Sequence, residues 1–197
     1  MSTATQSPTV SKSVWNVPNQ ITLARLALSI VLFGLLECHQ YMIGMVIFLV
    51  AAGTDWVDGY WARKYGQVTK LGRVLDPFVD KIIICGTFIF LAATDHSGIA
   101  AWMAVVVVGR ELLVTALRSF LEGEGADFSA VMSGKLKMVL QCAAVAVSLF
   151  ALTYVEAARR PEWLKWALGI SVWSAVALTI YSGVEYIRRA IALTSGG

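Results

Sequence analysis

The sequence predicts an all-α fold, an integral membrane bundle of six transmembrane helices with a short N-terminal interfacial segment. Three observations carry this reading. The first is composition: 57% of the 197 residues are hydrophobic and 15% charged, with a mean hydropathy of +0.68. A soluble domain carries about 25% charged residues, so the excess apolar surface must meet something other than water. The second is six apolar stretches near the ~20-residue length that a spanning helix needs. The third is a one-sided distribution of Lys and Arg. Together they predict one membrane domain over residues 15–197.

In chain order, "MSTATQSPTVSKSV" (1–14) is polar and has no apolar core before a small-residue cleavage site. It predicts a disordered tail and no signal peptide. "WNVPN" (15–19) reads as an interfacial approach, with Asn19 as the cap of the first helix. Spans are then predicted at 20–37, 41–62, 77–94, 98–119, 133–155 and 163–186. They are separated by "ECHQY", the stretch after Asp58, "DHSG", "EGEGADFSAVMSG" and "EAARRPEW". Gly, Pro, Ser and charge cluster in these breaks, as connections require. No internal repeat is evident. Charges inside the spans (Arg25, Asp80, Lys81, Arg110 and Glu111) are costly there and mark functional candidates.

Basic residues set the orientation. With the N-terminus in the cytoplasm, thirteen of the sixteen Lys and Arg residues fall on the cytoplasmic side. Only Arg159, Arg160 and Lys165 fall on the other. The predicted location is the inner, cytoplasmic membrane. The net charge of +3 then reflects a basic face beside anionic lipid head groups, with no nucleic-acid partner implied. Cys38, Cys85 and Cys142 have no paired spacing and read as small core residues. His39 and His96 fall in short loops and read as solvated.

"DWVDGYWARKYGQVTKLGRVLDPFVD" (55–80) places four carboxylates at the ends of two apolar runs. Singly, each aspartate can be an interfacial helix end, and Asp76 before Pro77 can be a helix cap. Jointly they say more. Asp55 and Asp58 are i, i+3 on one helix, and Asp76 and Asp80 are i, i+4 on the next, so each pair shares a face. A short connection makes the helices antiparallel neighbours, and the four can converge. Four adjacent negative charges repel unless a divalent cation offsets them, and hard oxygen donors suit Mg²⁺ or Mn²⁺. Gly59 leaves room for close ligand approach, Arg63 offers a fork suited to a diphosphate, and Gly72 permits a tight turn ahead of Asp76. Metal and arginine at a membrane surface suggest phosphoryl chemistry on a lipid.

The pattern Asp55-x2-Asp58-Gly59-x2-Ala62-Arg63-x8-Gly72-x3-Asp76-x3-Asp80 resembles, without a gap, the signature of the CDP-alcohol phosphatidyltransferases. "NVPNQITLARL", "GRELLVTALRSF" and "SGKLKMVLQ" further resemble segments of the phosphatidylglycerophosphate synthase branch of that family. Met138 departs from it, standing where that branch commonly has Thr after the second lysine. The resemblance implies transfer of a phosphatidyl group from CDP-diacylglycerol to an alcohol, with release of CMP. It implies that Asp55, Asp58, Asp76 and Asp80 bind one or two metal ions and that Asp80 is the catalytic base. It places Gly59, Arg63 and Gly72 on the CDP side, and it implies a homodimer.

The acceptor site has its own candidates. Arg110 and Arg118 are eight residues apart and near one helix face, Lys135 and Lys137 open the fifth span, and Arg25 begins the first. For Lys137 the positive-inside rule alone is an equal explanation, so the predicted acceptor set is Arg110, Arg118, Lys135 and Arg25. A basic pocket beside a metal site suits glycerol 3-phosphate. Inositol phosphate, serine or another alcohol is the alternative acceptor. A transporter with intramembrane carboxylates is the rival class. It predicts midplane charges and repeated halves, whereas these charges gather on one side.

Overall fold

A computed structural model describes the backbone of residues 17–65, 70–123, 132–154 and 159–194. It describes their side chains except at 17–19, 21, 55–65, 70–77, 80, 122–123, 132–133, 135 and 194. The tail predicted for residues 1–14 lies outside the described residues. The chain forms six helices: α1 (Val17–Glu37), α2 (Tyr41–Tyr65), α3 (Lys70–Ala92), α4 (Ala101–Gly123), α5 (Met132–Leu152) and α6 (Glu162–Thr194).

All six predicted helices form, and the differences lie at their ends. α1 begins at Val17, so Asn19 sits inside its first turn instead of capping it. Pro18 is tolerated there because the first N–H groups of a helix have no intrahelical acceptor. α3 begins at Lys70 and runs through Gly72 and Pro77. Gly72 therefore makes no turn, and Asp76 is not a cap. α4 begins three residues later than predicted, because Gly98 adopts φ +80 and Ser97 Oγ accepts the Ile99 N–H at 3.2 Å in a tight turn. α6 runs eight residues past its predicted end, stabilised there by the Glu185–Arg189 pair at i, i+4 (3.6 Å).

The packing order differs from the chain order. Neighbours run α1–α2–α5–α6–α4–α3 and back to α1, with α3 also touching α2 and α5. Thus α6 packs against both α4 and α5 and lies between them. The shared core includes Leu32, Phe48, Phe88, Val107, Val145, Leu149 and Val172, all buried. A smaller cluster of Val114, Leu121, Tyr186 and Ala190 joins α4 to α6. At the α1–α3 contact, a methyl group on Gly86 would come to 2.8 Å of Phe33 Cε1, so only glycine lets these helices approach so closely. Phe33 stacks on Phe90 there, with centroids 5.3 Å apart.

The outer surface is apolar. Ile30, Val46, Val105, Leu112, Val139 and Ile170 are each more than half exposed. A soluble monomer rarely shows so much large apolar surface. Among the described residues, one helix (Glu162–Leu193) is long and apolar enough to cross a membrane by length and composition. The apolar parts Tyr41–Thr54, Lys81–Ala92 and Leu136–Leu152 are shorter.

Residues from 38–40, 93–100, 153–154 and 159–161 meet at one end of the bundle, away from the end of α2 at Tyr65 and the start of α3 at Lys70. α1 ends in a Schellman motif: Gln40 N–H donates to Leu35 O (2.8 Å) and His39 N–H to Leu36 O (3.0 Å). His39 takes the left-handed position with φ 57. Ser148 Oγ donates to Ser97 O (2.6 Å), and Arg160 Nη1 donates to His96 O (2.7 Å), tying α5 and the last connection to the third. Burial lowers the Arg160 pKa, but a guanidinium stays protonated in proteins. This tie explains one arginine on the side predicted to be poor in basic residues; the Lys165–Glu162 pair (2.7 Å) explains a second cation.

Candidate functional site

The aspartates stand on consecutive, touching helices. Asp55 and Asp58 lie in the second half of α2 and Asp76 and Asp80 in the first half of α3, with residues 66–69 between the helices. Gly59 and Arg63 follow on α2, and Gly72 precedes on α3. The side chains of all seven, and of Lys135, lie outside the described residues. Among the described residues no group of three His, Cys, Asp or Glu side chains is placed to hold a metal. As a donor set, four carboxylates suit Mg²⁺ or Mn²⁺ in type and charge.

Beside them the structure contains a buried ionic cluster. Arg110 and Glu111 on α4 are each 9% exposed, and Lys137 on α5 is 5% exposed. Glu111 Oε1 accepts from Lys137 Nζ and from Arg110 Nη1 (3.4 Å). Arg110 Nε donates to Ser182 Oγ of α6 (3.1 Å), and its guanidinium lies 5.2 Å from the Tyr186 ring centroid. Arg118 Nη2 donates to Tyr186 Oη (3.4 Å). Arg110 and Arg118 therefore share one face and one aromatic partner, as their spacing predicted. Below the cluster, Gln141 Nε2 donates to Thr179 Oγ1 (3.0 Å), a bond between α5 and α6.

Charge buried this deeply persists only when it is paired and hydrogen-bonded. Glu111 supplies the pairing for two cations. Donors remain unused among the described residues: an arginine has five N–H groups, and Arg118 Nε is buried with no hydrogen-bond partner among them. At Gly134 α5 packs closely on the cluster, since a methyl group there would sit 3.3 Å from Tyr186 Oη and 3.9 Å from Arg110 Nη2.

Helix register sets the relative depth of the two groups. α3 and α4 touch and are joined at 93–100, so their adjoining ends are level. Arg110 stands nine residues (about 14 Å) from that end of α4, and Asp80 twelve residues (about 18 Å) from that end of α3. Positions 80 and 110 therefore stand at neighbouring levels along α3 and α4. Arg25 is buried in α1, which packs against α2 and α3, on the carboxylate side of the bundle.

Sequence reasoning left Lys137 out of the acceptor set, yet the structure buries it at the centre of the cluster. The signal was a polar stripe at helical spacing on α5, with Lys137, Gln141 and Ser148 buried in an otherwise apolar helix. Cys38 is exposed past the end of α1 instead of sitting in the core, and Cys85 and Cys142 are half-buried.

The sequence pattern of the CDP-alcohol phosphatidyltransferase family matches residues 15–181. A Bacillus subtilis (strain 168) protein named CDP-diacylglycerol–glycerol-3-phosphate 3-phosphatidyltransferase is 36% identical over 191 residues, covering 89% of this chain and 95% of the relative. Proteins of the same name from Escherichia coli (strain K12) and Salmonella typhimurium (strain LT2) are each 32% identical over 183 residues, with the same coverage. With the family pattern covering most of the sequence and the aspartate signature intact within it, this chain belongs to the CDP-alcohol phosphatidyltransferase family.

Proposed function

We propose that this protein transfers the phosphatidyl group of CDP-diacylglycerol to sn-glycerol 3-phosphate, giving phosphatidylglycerol phosphate and CMP. The observation that carries the reading is the gap-free Asp55-to-Asp80 signature in a chain whose relatives carry that activity in their names across nearly their whole length. The family is one of integral membrane enzymes. Six membrane-crossing helices, with the aspartate end in the cytoplasm, are supported by the apolar exterior and the basic-residue bias. The chain is proposed to act as a homodimer.

In this reading Asp55, Asp58, Asp76 and Asp80 hold Mg²⁺ or Mn²⁺, as one or two ions. When bound, the metal neutralises the diphosphate and the departing CMP. Gly59 and Gly72 let the nucleotide approach the backbone, and Arg63 binds its diphosphate. The acceptor hydroxyl oxygen bonds to the phosphorus bearing diacylglycerol, the bond from that phosphorus to the CMP oxygen breaks, and Asp80 takes the hydroxyl proton. Arg110, Arg118, Lys135 and Lys137, with Arg25 from the other side, offset the acceptor phosphate. That phosphate brings about two negative charges into a site already rich in carboxylates. The Arg118 Nε, which has no hydrogen-bond partner among the described residues, supports this assignment.

The test is CMP release by purified protein from CDP-diacylglycerol with a panel of acceptors. Release should require both a divalent ion and glycerol 3-phosphate, and Asp58→Asn should reduce it to background. Release that survives complete chelation would refute the metal-centred reaction. Met138, half-buried next to Lys137, favours one second reading, a different acceptor alcohol. The same panel decides it.

A further inference from the structure

At the end of the bundle away from the aspartates, three connections enclose a cleft of about 460 Å³. Its lining includes His39, Tyr41, Met42, Asp95, His96 and Arg160. This volume falls in the range of small-ligand sites, roughly 300–1,000 Å³. None of these residues has a part in the reaction proposed above.

Two charges in the lining are not fully used. Arg160 is 8% exposed; its Nη1 donates to the His96 carbonyl, and its buried Nε has no hydrogen-bond partner among the described residues. A buried N–H left unpaired is costly, and a guanidinium favours a phosphate oxygen. Asp95 is exposed and, among the described residues, has no ion-pair partner. A purely anionic ligand would meet repulsion from Asp95, and a purely cationic one from Arg160. Tyr41 Oη, held by His39 Nδ1 at 2.7 Å, adds a neutral polar group.

The surroundings are those of a lipid interface. Trp163 and Trp166 open α6 at this end, 61% and 71% exposed, and tryptophan concentrates where bilayer meets water. From the cleft, Met42, Val46 and Val50 continue along α2 at i, i+4, i+8 as an exposed apolar stripe. A polar head in the cleft would thus have a track for an acyl chain beside it.

We propose that this cleft binds a zwitterionic phospholipid headgroup, a phosphate ester carrying a primary ammonium, with Arg160 on the phosphate and Asp95 on the ammonium. The site lies across the membrane from the aspartates and depends on the membrane placement proposed above, not on the reaction.

Native mass spectrometry of the detergent-solubilised protein tests it, with phosphatidylethanolamine, phosphatidylglycerol and inorganic phosphate as separate probes. The wild type should retain one phosphatidylethanolamine per chain, with about tenfold weaker retention of phosphatidylglycerol. Asp95→Asn should abolish that preference. Arg160→Lys keeps the charge and a donor for His96 but loses the Nε–H, and should weaken retention of both lipids about tenfold. Thermal unfolding of each variant reports folding independently of catalysis. If Arg160→Lys does not fold, Asp95→Asn decides alone. Equal retention of both lipids by the wild type, or unchanged retention in the folded variants, overturns the proposal. Displacement of the lipid by equimolar inorganic phosphate would mark a free-phosphate site and overturn it as well.

Discussion

Arg118 and Lys137 are both cations of the cluster, yet they differ in what their removal should do. Arg118 hydrogen-bonds the Tyr186 hydroxyl, and its buried Nε has no partner among the described residues. Arg118→Ala should raise the KM for glycerol 3-phosphate about tenfold or more and leave that for CDP-diacylglycerol near its original value, the loss expected for one or two charge-assisted hydrogen bonds. Steady-state kinetics with each substrate varied in turn measures this. Arg110→Ala should act in the same direction, and Arg110→Lys should recover only part of the loss, since a point charge lacks the fork. If the CDP-lipid KM rises instead, these arginines serve the nucleotide. Lys137 is tied to Glu111 inside the bundle. Lys137→Met leaves that carboxylate without its lysine partner and should cost about 3 kcal/mol in unfolding free energy, while Lys137→Met with Glu111→Gln should cost less. A double-mutant cycle in detergent would reveal the coupling, and additive losses would show that the pair is not coupled. The sequence pointed to Arg110 and Arg118 because they stand near one helix face, and Arg110 follows "MAVVVV" with no polar lead-in. It passed over Lys137 because a lysine near a cytoplasmic helix start has one, and its partner lies 26 residues away.

The six helices were legible because an apolar run of spanning length has few other uses. Their ends were less so. Gly72 and Pro77 read as a turn and a helix start, yet both lie inside α3; that helix packs against four others, and tertiary context of this kind outweighs a local preference. Partner choice was not legible at all. That α6 lies between α4 and α5 depends on Ser182, Thr179 and Tyr186 meeting residues 38 to 72 positions away, and periodicity within one helix says nothing of its neighbour. The α1–α3 contact offers a test at this scale. Gly86→Ala should press on Phe33 and disturb its stacking on Phe90, costing about 1–3 kcal/mol. Gly109→Ala, where nothing lies within 4 Å, should be tolerated. Thermal unfolding in detergent compares the two, and equal melting temperatures would show that α1 and α3 do not approach so closely.

For the whole molecule the testable property is direction. In a background lacking Cys38, Cys85 and Cys142, a membrane-impermeant thiol reagent added to intact cells should label His96→Cys and fail to label Val68→Cys. The reverse pattern would turn the aspartates away from the cytoplasmic pools of nucleotide and acceptor and refute the proposed orientation. The position of α6 has a consequence in time. A ribosome delivers α4 with Arg110 and Glu111 first, then α5 with Lys137, and α6 with Ser182 and Tyr186 last. Until that last helix arrives, Arg110 lacks both its serine and its tyrosine, and the nascent bundle has an open, polar seam. Assembly therefore finishes only when synthesis nearly has. A chain cut short before α6 would keep every aspartate of the signature and still carry an unsealed seam, a state that membrane quality-control proteases can distinguish from the finished enzyme.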